Sequence, residues 1–286
     1  MEVDRPSGSS RAERPVPPDA RASPAGSLTG GLLERLRRRD RRSFVADSLG
    51  GRIGAVEFAG TVERAASGLG RRGIRPDDTV GILAPVGTAR LTAVYAAMAA
   101  GGVALPLELA SDLETLIDVL VETDTRLIVV TAALADVALE LAERSRVRQV
   151  VAFGGAPETT PFDELLLPSP GGAAPVPPRG RSGSGVLSYA PCSGRGVRTA
   201  LHSHADLLGR FHRLGDELGV TGSDVVAVEN GMAESDRAAL AAVALWNGAS
   251  VVAVALDDEE GGRRVLAGFG ATVRGRPVPR RIGVPA

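Results

Sequence analysis

The sequence predicts an α/β protein built from mostly parallel sheets with flanking helices. Two patterns carry that prediction. From Gly54 onward, short apolar runs alternate with stretches of helical periodicity. The helical stretches also open and close on residues suited to capping. Composition agrees: of 286 residues, 44% are hydrophobic and 23% charged, a balance that lets a globular chain of this size bury roughly 75% of its unfolded surface.

Residues 1–30 are rich in Pro, Ser, Gly and Arg and poor in large apolar side chains. Burial cannot offset the entropy of ordering such a segment, so it reads as a disordered tail. A first lobe is assigned to residues 31–167. It opens on a short helix within Leu32–Arg42, where Arg35, Arg37, Arg38, Arg39, Arg41 and Arg42 form a basic face. No aromatic residue interleaves them for base stacking, so a solvated face is expected rather than a nucleic-acid surface. Strands follow at Ala55–Phe58, Val80–Leu83, Val103–Pro106, Leu127–Val130 and Val147–Phe153. Between them, Thr61 opens a helix that Gly73 closes, and Thr88 opens one ending at Gly101. Ser111 with Glu114 makes a capping box before a helix whose Leu113, Leu116, Ile117 and Leu120 share one face.

Residues 168–185 are Pro/Gly/Ser-rich and read as a linker between two lobes. The second lobe, residues 186–256, begins with a strand at Val186–Tyr189. A glycine-containing loop follows, then a helix capped by Ser203 and closed by Gly219, with Leu207, Phe211, Leu214 and Leu218 on one face. Val225–Val228 and Val251–Ala255 are strands flanking a helix from Ser235 to Trp246. Residues 257–286 form an Arg-rich tail, and its part from Gly261 onward, with six Arg, no acid and little apolar periodicity, is expected to be poorly ordered.

Several classes of function are set aside by composition and motif context. A formal net charge of −1 gives no global field toward nucleic acid or membrane. No apolar run approaches the roughly 18 residues of a membrane span. The first residues lack the apolar core of a secretory signal, so a cytoplasmic protein is expected. Cys192 is the only cysteine and has no internal disulfide partner. Gly68-Leu-Gly70-Arg-Arg-Gly73 matches a dinucleotide-binding glycine pattern, yet it ends a helix instead of opening one, and a helix stop is the better reading. His202, His204 and His212 lie near Cys192 and Asp206, but His204 and His212 are two helical turns apart, so no metal site is assigned. Ser193 has Pro191 where a nucleophile elbow needs its first Gly.

The segment 186–208, VLSYAPCSGRGVRTALHSHADLL, carries the parts of a phosphate-binding loop: small residues that permit close approach, backbone N–H donors, and a cation. Its spacing is similar to the phosphate loop of the adenylate-forming superfamily of acyl-CoA synthetases and related ligases. Tyr189, Ser193, Arg198, Ser203, His204 and Leu207 fall on that motif's Tyr, first Thr, Lys, capping Thr, His and Leu positions. Residues 70–108, including the Gly101-Gly102 turn before a strand ending in Pro106, resemble the family's early helix–strand–helix–strand block. The resemblance spans Leu32–Leu256.

The resemblance implies the N-terminal part of an ATP-dependent acyl-acid ligase, which activates a carboxylic acid to an acyl-adenylate with Mg²⁺ and passes it to a thiol such as coenzyme A or a carrier protein. It implies that Ser193, Gly194, Gly196 and Arg198 face nucleotide phosphates, with Tyr189, Ser203 and His204 supporting the loop. The departures weaken that site. Pro191 removes a donor, Cys192 adds a side chain where the family has Gly, Val197 and Thr199 replace the Pro and Gly flanking the cation, and Arg198 replaces Lys. All 33 basic residues are Arg, so no Lys serves adenylation. Only Glu229–Ser235 matches the family's aromatic-plus-His segment near the acyl pocket, and the later motifs have no counterpart. A truncated member with a degenerate loop, weak ATP binding at best and no activity alone is therefore expected, and no residue is assigned as catalytic. Its partner would be a chain supplying the C-terminal half, a related synthetase or a carrier protein. The alternative is a non-catalytic binding or scaffold protein for such partners.

Overall fold

The computed structural model describes residues 27–38, 42–168, 184–192, 196–256, 259–275 and 279–282. Their helices are α1 (Leu28–Arg37), α2 (Ala55–Arg71), α3 (Thr88–Ala99), α4 (Leu113–Glu122), α5 (Ala135–Glu143), α6 (His204–Leu218), α7 (Glu234–Asn247) and α8 (Glu259–Gly268). The strands are β1 (Phe44–Asp47), β2 (Arg52–Gly54), β3 (Thr79–Leu83), β4 (Val103–Pro106), β5 (Leu127–Thr131), β6 (Gln149–Phe153), β7 (Thr160–Pro161), β8 (Gly185–Pro191), β9 (Val197–Ser203), β10 (Val225–Glu229), β11 (Ser250–Val254), β12 (Val273–Arg274) and β13 (Arg280–Arg281). They form two mostly parallel sheets, ordered β7-β6-β5-β3-β4-β8-β9 and β13-β12-β10-β11-β1-β2. The expected α/β class is observed.

Strand periodicity sets the layers. In β5, Leu127 and Val129 face one core while Ile128 and Val130 face another; in β11, Val251 and Ala253 face the first core while Val252 and Val254 face a third. Both sheets thus share one central apolar layer, filled by α1, α2, α3, α6 and α7. The outer faces are covered by α4 and α5 on the first sheet and α8 on the second. Side chains alternating across a pleat can serve two cores only when both faces are covered, as parallel sheets require.

Several local expectations are corrected. Ala55–Phe58 is the first turn of α2, because Gly54 caps that helix and Phe58, Ala59, Val62, Ala65 and Leu69 continue a buried helical stripe through it. Thr61 therefore lies inside the helix. α1 starts at Leu28, inside the expected disordered tail, since Ser27 caps it and Leu28, Leu32, Leu33 and Leu36 are buried. Residues 1–26 lie outside the described residues. The cap of α4 is Asp112, which accepts the Thr115 amide at 2.9 Å, in place of the Ser111–Glu114 box. Residues from the expected Arg-rich tail form α8, β12 and β13. They are held because Ala271 and Val273 are buried and because Arg281 reaches the buried Asp224 carboxylate at 2.9 Å.

The stretch 168–185 does not separate the two sheets. β8 hydrogen-bonds in parallel to β4, placing the β8–β9 hairpin in the first sheet, while β1 pairs in parallel with β11 in the second. Each sheet thus draws strands from both expected lobes. Glycines in the false dinucleotide motif have structural roles: a Cβ on Gly68 would sit 2.3 Å from the Leu165 carbonyl, and Gly73 takes a φ of +95° just past the helix end.

Candidate phosphate-loop site

The loop sits on a β-hairpin. The sequence reading ran from strand to loop to helix, but β9 intervenes, and β8 pairs antiparallel with it from Gly185↔Ser203 to Pro191↔Val197. The expected phosphate cradle is accordingly a hairpin tip, separated from the N-terminus of α6 by the length of β9. Aligned helix amides, the usual source of anion affinity in a strand-to-helix loop, are not available at this tip. The pairing is close at the hairpin's base, where a Cβ on Gly185 would lie 2.0 Å from the His202 carbonyl.

At the tip, the Cys192 amide donates to the Gly196 carbonyl at 3.0 Å, closing the loop. Gly196 adopts φ +93°, and its amide donates to the Asp118 carboxylate on α4 at 3.1 Å. Both donors flanking the tip are thus bonded within the protein. Arg198 is exposed on β9, and its side chain makes no hydrogen bond or ion pair among the described residues. Ser193 and Gly194 lie outside the described residues.

The supporting residues are locked in place. Tyr189 on β8 accepts the Glu108 amide at 2.9 Å and lies 3.2 Å from the Ser111 hydroxyl. Burial pushes its phenol above the ordinary value, while the bonds to Ser111 and Glu108 pull the other way. Ser203 caps α6 in a reciprocal box: its amide donates to Asp206 at 2.9 Å and its hydroxyl accepts the Asp206 amide at 3.3 Å. His204 is buried, and burial lowers its pKa because the charged imidazolium would lose its hydration. His202 instead bonds Ser188 at 3.1 Å, and His212 packs edge-on against Phe211. Among the described residues, no three His, Cys, Asp or Glu side chains converge as a metal site.

Sequence reasoning missed a buried charge cluster behind the hairpin. Arg90 on α3 donates to the carbonyls of Ala84 at 2.8 Å and Leu107 at 3.1 Å, just beyond the C-terminal ends of β3 and β4. It also pairs with Glu234 on α7 at 3.1 Å. Arg237 pairs with the same carboxylate and donates to the carbonyls of Glu229, the last residue of β10, and Met232. Burial alone would raise the Glu234 pKa, but the two guanidiniums hold it below the ordinary carboxylate value. This cluster ties the strand ends of both sheets together, and its Leu107 contact adjoins the Glu108 amide that holds Tyr189. Arg90 was findable only as an odd polar residue in an apolar helix; its partner lies 144 positions away.

A family model described as AMP-binding enzyme matches residues 34–182, more than half of the chain. The chain belongs to the AMP-binding enzyme family. The matched segment covers α2, α3 and the strands β3 to β7 of the first sheet and stops just before the hairpin. Solved structures of the same fold include a protein of Rhodopseudomonas palustris CGA009 assigned as a long-chain-fatty-acid CoA ligase, at 23% identity and TM-score 0.73 over 87% of this chain and 62% of that one. A long-chain-fatty-acid-CoA ligase from Archaeoglobus fulgidus aligns at 16% identity and TM-score 0.72, over 88% of this chain and 51% of the other. An ATP-bound RpMatB-BxBclM chimera aligns at 20% identity and TM-score 0.66, over 85% and 48%. The chain thus spans between about half and three fifths of the length of these structures. No curated protein sequence matches it. Among the described residues, no helix is long and apolar enough to cross a membrane.

Proposed function

We propose that this chain contributes the N-terminal part of an ATP-dependent acyl-acid ligase and binds nucleotide phosphates weakly through the β8–β9 hairpin. The observation that carries this reading is Arg198, an exposed cation beside the hairpin tip at the position where the family's motif has Lys. Ser193, Gly194, Gly196 and Arg198 are the residues that would meet phosphate, and Mg²⁺ would arrive bound to the nucleotide. The fit is partial: Arg198 is available, while the Gly196 amide already serves Asp118. ATP, when bound, supplies the α-phosphorus that a carboxylate attacks. The residues of this chain orient phosphate, and Arg198 adds positive charge there.

Adenylation builds negative charge that must be met by several aligned cations and donors. With only Arg195 and Arg198 as cations in the tip sequence and no Lys anywhere in the chain, the isolated polypeptide is not expected to catalyse that step. A partner chain carrying the rest of the site, a related synthetase or a carrier protein would complete it. Acid-dependent exchange of pyrophosphate into ATP tests this directly: the expected result is none above background. Reproducible exchange with any carboxylic acid, lost on Arg198→Ala, would overturn the reading. The engagement of both flanking amides favours a second reading, a non-catalytic scaffold that keeps the fold for partner contact.

A further inference from the structure

Asp118 is an acid placed where an anion site would need none. It lies on α4 and aims its carboxylate at the hairpin tip from 78 residues away in sequence. Its only hydrogen bond among the described residues is the 3.1 Å bond from the Gly196 amide, and no Arg pairs with it there. Glu114 on the same helix, by contrast, pairs with Arg144. Arg198 lies only two residues beyond Gly196 and remains unpaired among the described residues.

We propose that Asp118 is an affinity-setting residue of the hairpin, a built-in anion that occupies the Gly196 donor and excludes phosphate from it. The inference rests on the hairpin being the phosphate site, and it names what limits that site. A carboxylate accepts an amide much as a phosphate oxygen does, so the two compete for one N–H. A phosphate held nearby by Arg198 also feels the carboxylate's charge. At separations of about 5–6 Å and an intermediate effective dielectric, that repulsion weakens binding roughly tenfold per phosphate charge. The left-handed backbone at Gly196 suits this arrangement, since it turns the amide toward α4.

The test uses the full chain, inorganic pyrophosphate as the probe, and calorimetric titration of the unmodified protein, Asp118→Asn, Asp118→Ala and Arg198→Ala. Both Asp118 variants should bind about tenfold tighter or more, and Arg198→Ala should weaken binding. Amide exchange at Gly196, measured without probe, should accelerate in Asp118→Ala. If Arg198→Ala weakens binding while neither Asp118 variant tightens it, the phosphate site stands and the role of Asp118 is refuted. If no variant binds, or Arg198→Ala changes nothing, the phosphate reading falls and this inference with it. Unchanged Gly196 exchange in Asp118→Ala refutes the inference whatever the titrations give.

Discussion

Replacing Arg90 with Met removes the link between the two sheets while preserving most of the apolar stem. The side chain is 4% exposed, so water cannot substitute for what is lost. Two carbonyls, Ala84 and Leu107, lose their donor at 2.8 and 3.1 Å. Leaving a buried acceptor unpaired costs about 1–3 kcal/mol each. Glu234 loses one of two guanidiniums; removing a partner from a buried pair costs about 3–5 kcal/mol, and the low end applies because Arg237 remains. The total is about 5 kcal/mol once partial relaxation is allowed, a large share of the 5–15 kcal/mol typical of a folded domain. Urea unfolding followed by fluorescence of Trp246, the single tryptophan and itself buried, reports the change. Glu234→Gln should also destabilise, since the amide can still accept from one Arg but leaves the buried Arg90 and Arg237 guanidiniums without their shared counter-charge. An Arg90→Met variant within about 1 kcal/mol of the unmodified protein would refute the view that this cluster fastens the strand ends.

Arg281→Ala should destabilise by about 1.5–3 kcal/mol, read from the urea midpoint, because it removes the guanidinium from Asp224; Thr221 and Thr272 still serve the carboxylate, which limits the loss. Burial raises the Asp224 pKa but the bonds from Arg281, Thr221 and Thr272 outweigh it and hold it well below the ordinary value. The unfolded chain therefore takes up its proton first, and this stability, complete above the unfolded value near 4, is lost as pH falls toward the folded value. The acid-unfolding midpoint should consequently rise in Arg281→Ala. His204 has the same sign for a different reason: burial depresses its pKa below 6.5, so the folded state resists protonation and stability declines as pH drops below that value. His204→Gln should flatten this part of the curve below about pH 6.5, and an unchanged slope would show that the ring is solvated.

Legibility in the sequence followed the range of the interaction. Val103–Pro106, α3 and the capped α6 were readable because periodicity and caps act within a few residues. Ala55–Phe58 was misread because its apolar-polar-apolar pattern fits a strand as well as a helical turn; the buried stripe reaching Leu69 settles it. β9 was invisible because it is an edge strand with exposed residues on both faces, including Arg198, Ala200 and Leu201, so VRTALHS shows no alternation. At the site, Tyr189 and Ser203 could be named from motif spacing, and Ser203 makes its bond to a residue three positions away. Asp118, Arg90 and Glu234 could not, since each acts across 78 to 144 residues and only the folded topology brings its partner near.

The central claim is that the hairpin holds nucleotide phosphates, weakly, through Arg198. Two or three charge-assisted bonds of about 1.5–3 kcal/mol each must offset an immobilisation cost of about 4–15 kcal/mol, which leaves affinity in the millimolar range at best. Calorimetric titration of the full chain with Mg·ATP, repeated on Arg198→Ala, measures this directly. Millimolar binding, further weakened by the substitution, is the expected result. Micromolar binding, or millimolar binding indifferent to Arg198, would contradict it.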